Sequence, residues 1–229
     1  MQPTLDFLRE LAQNNNKAWF DANRKRYEAA RSAFETLVAD LIEALRDMDH
    51  LGNLTPKECM FRINRDVRFA KDKSPYNAHM SAQIANGGRH GEGRGYYLHF
   101  MPDNGSFLAS GLYEPEPAAL DNIRQHLVQD AEPLRKIIAA PDFKRYFGAL
   151  SGDSLKTAPS GYDRTHPNID LIRYKQFLAV HNLADSALVS DGLVAHVVAV
   201  RNAMQPFLDY LDKAAAAPPK KDRKIAAKA

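Results

Sequence analysis

The stretch YYLHFMPDNGSFLASGLY, residues 96–113, decides the fold class. Two apolar runs, Tyr96 to Met101 and Ser106 to Tyr113, flank Pro102-Asp103-Asn104-Gly105. Proline suits the first corner of a tight turn and glycine tolerates a left-handed backbone, so these residues predict a hairpin on a type I turn with Gly105 left-handed. Upstream, Met80 to Ala85 alternates Met80, Ala82 and Ile84 with Ser81 and Gln83, the period of a half-buried strand. Phe61 to Phe69 reads as the first strand of the set. All connections are too short for a parallel crossover, which predicts an antiparallel meander of about four strands.

Helical patterns lie on both sides of this block. Thr4 reads as the N-cap of a short helix through Leu5, Leu8 and Leu11. After Asn14-Asn15-Asn16, an i, i+3, i+4, i+7 stripe from Trp19 through Phe34, Leu41 and Leu45 predicts one long helix ending at Gly52. Beyond Tyr113, Pro115 and Pro117 open a helix, Pro133 opens another and Pro141 a short one ending near Gly148, since proline suits the first turn. His166-Pro167 starts a further one through Leu171, Tyr174 and Leu178, then comes a short apolar run, and a last helix spans about Ser190 to Tyr210. The expectation is an α+β fold: a central antiparallel sheet packed against N-terminal and C-terminal helices, in one domain over 1–212.

Composition bounds what such a chain does. Hydrophobic residues at 45% and charged residues at 26% suffice for a buried core. The formal charge of +3 comes from the end of the chain: residues 213–229 hold six Lys or Arg against one Asp, a local +5, which leaves −2 for the rest. That tail, poor in bulky apolar residues, reads as disordered. One cysteine, Cys59, excludes an internal disulfide and fits a reducing cytoplasm. The opening MQPTLDFLRELAQ lacks a signal-peptide pattern and no apolar run is long enough to span a bilayer, so no membrane association is expected. The eight histidines form no close helical pair, and neither a metal nor a cofactor is expected.

Chemistry gathers in FRINRDVRFAKDKSPY, residues 61–76, where Arg62, Arg65 and Arg68 surround Asp66 and Lys71 and Lys73 follow. Read as a strand, Arg62, Asn64, Asp66 and Arg68 share one face. Arg65 then falls among Phe61, Ile63, Val67 and Phe69, where a guanidinium needs a buried acidic partner from a helix, or a bulge that turns it outward. Asp66 is within reach of Arg68 and would hold its planar fork toward an oxyanion. Arg62, Arg65, Asp66, Arg68, Lys73 and Tyr76 are therefore the candidate ligand-binding residues, for a phosphorylated or carboxylated small molecule. The glycine-rich GGRHGEGRG, 87–95, precedes a strand instead of a helix and reads as a flexible connection, not a dinucleotide loop. A nucleic-acid binder using the charged strand and the tail, an enzyme with Asp66 or Tyr76 moving protons, and a purely structural ion-pair network are the alternatives.

The spacing R-x-x-R-D-x-R-F-x-x-x-K-x-P-Y, met by Arg62, Arg65, Asp66, Arg68, Phe69, Lys73, Pro75 and Tyr76, resembles the signature of an uncharacterised bacterial family known as domain of unknown function 2461. FLRELAQNNNKAWFDANRKRYE resembles that family's start, and LKTAPSGYDRTHP with RYKQF its later segment, so the resemblance covers most of 4–212. It implies membership and brings no activity, substrate or catalytic residue. In the later segment Lys156, Tyr162, Asp163, His166, Arg173 and Lys175 add polar candidates.

Overall fold

Asparagines set the N-terminal helices. A computed structural model describes residues 1–91 and 94–218. Helix α1, Gln2–Gln13, starts earlier than expected: Met1 is its N-cap, and Thr4 is buried in the first turn with an unpartnered hydroxyl. Asn16 caps α2, Lys17–Ala22, by accepting the Trp19 N–H at 3.0 Å. The single long helix expected from Trp19 is instead two, because Asn23 leaves helical geometry and donates its amide to Trp19 O. Helix α3, Arg24–Leu45, then buries Phe34, Leu37, Val38, Leu41, Ile42 and Leu45. A short helix α4, Pro56–Cys59, is fixed by a capping box between Thr55 and Glu58.

The sheet is an α+β meander in the order β1-β2-β3-β4. Strands β1, Met80–Ala85, β2, Gly95–Phe100, and β3, Ser106–Leu112, pair as successive antiparallel neighbours, as the alternation predicts. The turn differs from expectation. Asp103 and Asn104 have φ of 61° and 58°, the pattern of a type I′ turn, and Gly105 donates to Pro102 O at 3.2 Å without being left-handed. A mirror-image turn matches the right-handed twist of the flanking strands. The carboxylate of Asp185 holds it by accepting both Asp103 and Asn104 N–H groups.

Two expectations are corrected. Residues 61–69 are not a strand of the sheet, and the fourth strand is β4, Phe177–Leu183, a segment whose start falls within an expected helix. The helix after His166 is only α8, Ile169–Ile172. Phe177, Ala179 and Leu183 are fully buried at odd positions, a period-two pattern that outweighs the helical reading. Gly111, at φ 130°, faces Phe177: a Cβ there would lie 2.1 Å from its carbonyl oxygen, so only glycine fits. Helices α5, Pro117–Gln129, α6, Glu132–Ala139, and α7, Pro141–Phe147, each carry the expected proline in the first turn. They are followed, after β4, by α9, Asp185–Leu188, and α10, Leu193–Ala216. Most of the expected basic tail, residues 219–229, lies outside the described residues.

The chain divides into two compact units, one of Met1–Ser110 with Val180–Asn202, the other of Gly111–Ala179 with the residues from Ala203. In the first, Met80, Ala82, Ile84, Tyr96, Leu98, Phe100 and Leu108 form the buried face of the sheet, with Phe100 and Phe34 of α3 5.6 Å apart. The other face carries Ser81, Tyr97, His99 and Phe107, in register through Ser81 opposite His99 and His99 opposite Phe107. In the second, Phe143 of α7 sits 5.7 Å from Phe207 of α10.

Candidate functional site

The charged segment is an edge cover that becomes its own hairpin. Met60 bridges Ala82, and Phe61 N–H donates to Ser81 O at 2.9 Å, so this stretch protects the free edge of β1. The chain then leaves β1 and pairs with its own return: Asn77 N–H reaches Ile63 O at 2.7 Å and Arg65 N–H reaches Pro75 O at 2.9 Å, around a bridge between Asn64 and Tyr76. Asn15 fastens the return strand to the helices. Its amide donates to Tyr76 O at 2.8 Å and its carbonyl accepts Tyr76 N–H at 3.1 Å, as a neighbouring strand would. Tyr76 is buried and stacked on Phe20, ring centroids 3.9 Å apart.

Within the loop the charges are largely engaged with one another. Asp66 accepts the Arg68 N–H and two guanidinium nitrogens, at 3.0 Å from Nε and 2.6 Å from Nη2. Hydrogen bonds from Arg68 hold the Asp66 carboxyl below its usual range. Arg68 is 77% exposed and lies over Phe69, itself 95% exposed. Lys73 donates to Val67 O at 2.9 Å and so closes the loop. Arg65 finds its acid not on a helix but seven residues on: Nη1 meets Asp72 at 2.5 Å and Ser74 O at 3.1 Å. Asp72 is held well below the carboxylate range, first by Ser74 and then by Arg65.

Between the hairpin and the outer sheet face lies a groove of about 440 Å³, lined by Phe61, Arg62, Asn64, Arg65, Asp66, Asn77, His79, Ser81 and Tyr97. Arg62 makes no hydrogen bond or ion pair with a described residue and acts on Asp66 only at a distance. Of the six residues expected to bind a ligand, the groove gathers Arg62, Arg65 and Asp66, while Arg68, Lys73 and Tyr76 have the partners given above. Sequence reasoning missed Phe61, Asn64, Asn77, His79, Ser81 and Tyr97 as site residues. The strand register, which puts Ser81 opposite His99, was the available signal.

The histidines at and beside the groove are kept uncharged: His79 lines it and His99 lies behind His79. His79 and His99 rings are 4.1 Å apart, and Tyr97 Oη lies 3.2 Å from His99 Nδ1. Burial, and then the neighbouring His79, pull the His99 imidazole down to about 4. Burial and the nearby Arg65 also lower His79. Both rings are therefore neutral near pH 7. A smaller recess adjoins the groove and brings in Tyr27 and Arg31 of α3, the latter 3.4 Å from Glu35.

The other polar candidates have local partners. A second concavity of similar volume contains Arg24 and Arg26, but Arg24 pairs with Asp21 and Arg26 grips Glu10 through two 2.7 Å bonds. In the second unit Tyr162 donates to Asp121 at 2.6 Å, Lys175 pairs with Asp153, Arg173 reaches Lys156 O, and Asp163 accepts Thr165 N–H. His166 Nδ1 accepts Asn168 N–H. The described part of the glycine-rich loop is anchored: Gly88 packs on Glu58, and Arg89 donates to the Lys57, Glu58 and Met60 carbonyls. Among the described residues no three His, Cys, Asp or Glu side chains cluster to hold a metal, and no helix is long and apolar enough to cross a membrane.

A family model described as "Conserved hypothetical protein (DUF2461)" matches residues 3–210. No curated protein and no solved structure matches the chain.

Proposed function

The chain belongs to the DUF2461 family of conserved hypothetical proteins, and we propose that it is a cytoplasmic protein that binds the oxyanion of a small molecule in the groove beside β1. The observation that carries this reading is Arg62, which lines the groove and whose guanidinium has no hydrogen-bond acceptor among the described residues. A guanidinium has five donors in a planar fork that matches a phosphoryl or carboxylate group. Arg65 engages only Nη1 with described acceptors, so the groove offers a second fork. Asp66 is neutralised by Arg68 and leaves Arg62 to the ligand, while Asp72 and Lys73 keep the loop in shape. A single buried cysteine fits a reducing compartment.

Isothermal titration with inorganic phosphate and with citrate tests this. The wild-type protein should bind at least one of them, and Arg62→Ala should weaken that binding about tenfold or more, the scale of a charge-assisted bidentate contact. Identical null titrations of both proteins would discard the reading.

A further inference from the structure

The lining of the groove beyond its arginines says what the oxyanion is attached to. Phe61 is 43% exposed, and its ring meets Tyr97 edge to face at 6.2 Å. Two aromatic side chains and the neutral His79 therefore form an open wall next to the cations. The same wall carries polar groups with unmet capacity. The side chains of Asn64 and Asn77 and the hydroxyl of Ser81, a residue only 6% exposed, make no hydrogen bond to a described residue. The contrast with the helical segment is direct, since Asn14, Asn15, Asn16 and Asn23 all bond the backbone. An amide presents a donor and an acceptor side by side, which a buried apolar ligand wastes and the edge of a nitrogen heterocycle satisfies. A cavity of about 440 Å³ falls within the range of small-molecule sites.

We propose that the ligand is a phosphate ester of a planar heteroaromatic compound, of the nucleoside monophosphate class. Its phosphoryl group binds Arg62 and Arg65, its ring packs on Phe61 and Tyr97, and its polar edge meets Asn64, Asn77 and Ser81. This rests on the oxyanion reading and goes beyond it. A free phosphate needs only the arginines, whereas the aromatic wall and the unpartnered amides need a base.

Calorimetric titrations with adenosine 5′-monophosphate, uridine 5′-monophosphate, ribose 5-phosphate and inorganic phosphate test it on the full chain. At least one nucleotide should bind about tenfold or more tightly than ribose 5-phosphate, within the range a stacked base contributes. Phe61→Ala and Phe61→Leu should each bring nucleotide affinity down to that of ribose 5-phosphate, the leucine variant preserving apolar bulk while removing the ring face. Equal binding of ribose 5-phosphate and both nucleotides would overturn the inference and leave the oxyanion reading standing. Absence of binding by all four probes and by citrate would remove both, whereas binding of citrate alone would overturn the nucleotide class and leave the oxyanion reading standing. A short single-stranded oligonucleotide that binds more tightly than either mononucleotide would assign the wall to a nucleic-acid chain and overturn the small-molecule class.

Discussion

At the scale of single residues, the charged segment separates into charges that build the loop and two, Arg62 and Lys71, with no hydrogen bond or ion pair to a described residue, of which Arg62 lines the groove. Lys73 ties down Val67 O, Asp72 takes Ser74 and Arg65, and Asp66 takes Arg68. These contacts account for most of the cationic density without any ligand. Arg62 is different, because it makes no hydrogen bond or ion pair with a described residue. The difference predicts opposite phenotypes. Arg62→Ala should leave the thermal midpoint within about 2 °C of wild type, as expected for an exposed side chain without an anchoring contact. Lys73→Met should leave Val67 O and Arg68 O without their ammonium donor and speed amide exchange across 66–74. Exchange mass spectrometry with thermal unfolding checks both. A large loss of stability in Arg62→Ala would return Arg62 to the scaffold.

At the scale of elements, the hairpin 63–77 depends on one asparagine, because its return strand has Asn15 where a sheet would supply another strand. Removing that amide exposes two backbone groups that were paired, at a cost of about 1–3 kcal/mol if neither finds a new partner. Asn15→Ala should therefore lower the denaturant midpoint and raise exchange at Tyr76 and Asn77 before the rest of the first unit. Unchanged exchange there would show that Tyr76 stacking on Phe20 alone holds the segment. The same hairpin explains what the sequence conceals. The β2–β3 pairing was legible because turn and alternation agree, and the charged cluster because its residues are adjacent. The segment from Phe61 looked like a strand because it does begin as one, for two residues along β1, and only then follows its own return. Strand β4 was hidden in a run whose leucines and tyrosine also fit a helix, and only its burial beside β3 decides. A third of the groove was hard to read for a related reason: Ser81 and Tyr97 meet through sheet register, with His79 just before β1, and only a register inferred from the strand alternation, not adjacency in sequence, brings them beside Arg62.

At the scale of the whole molecule, stability rests on buried polar groups as well as on the apolar core. Arg201 and Asp49 are buried together, with Nη2 to Oδ1 at 2.5 Å, and Met48 O and Tyr96 Oη complete their hydrogen bonds. Such a pair is costly to break singly, since the remaining charge stays buried. The histidines on the outer sheet face make the opposite demand, because their burial favours the neutral form. Their effect on stability has a definite sign. An unfolded histidine titrates near ~6.5, and in the folded protein His99 is drawn down to about 4 by burial and by His79, with Tyr97 Oη and the Phe107 ring as its other neighbours. The unfolded state then binds more protons between these values, so the contribution is complete above the unfolded value and is lost as pH falls toward the folded one. The carboxylates whose values are lowered by ion pairs, Asp66 and Asp72 among them, act at more acid pH, below the unfolded carboxylate range of roughly 4. The two windows separate. Between pH 6.5 and about 4.5 the unfolding midpoint should fall steadily with acid, and His99→Gln should flatten that slope while leaving the steeper loss at lower pH. Urea titrations across this range, on wild type and variant, decide the matter: parallel curves would mean that His99 is already accommodated as a cation, against the His79 ring that lines the groove.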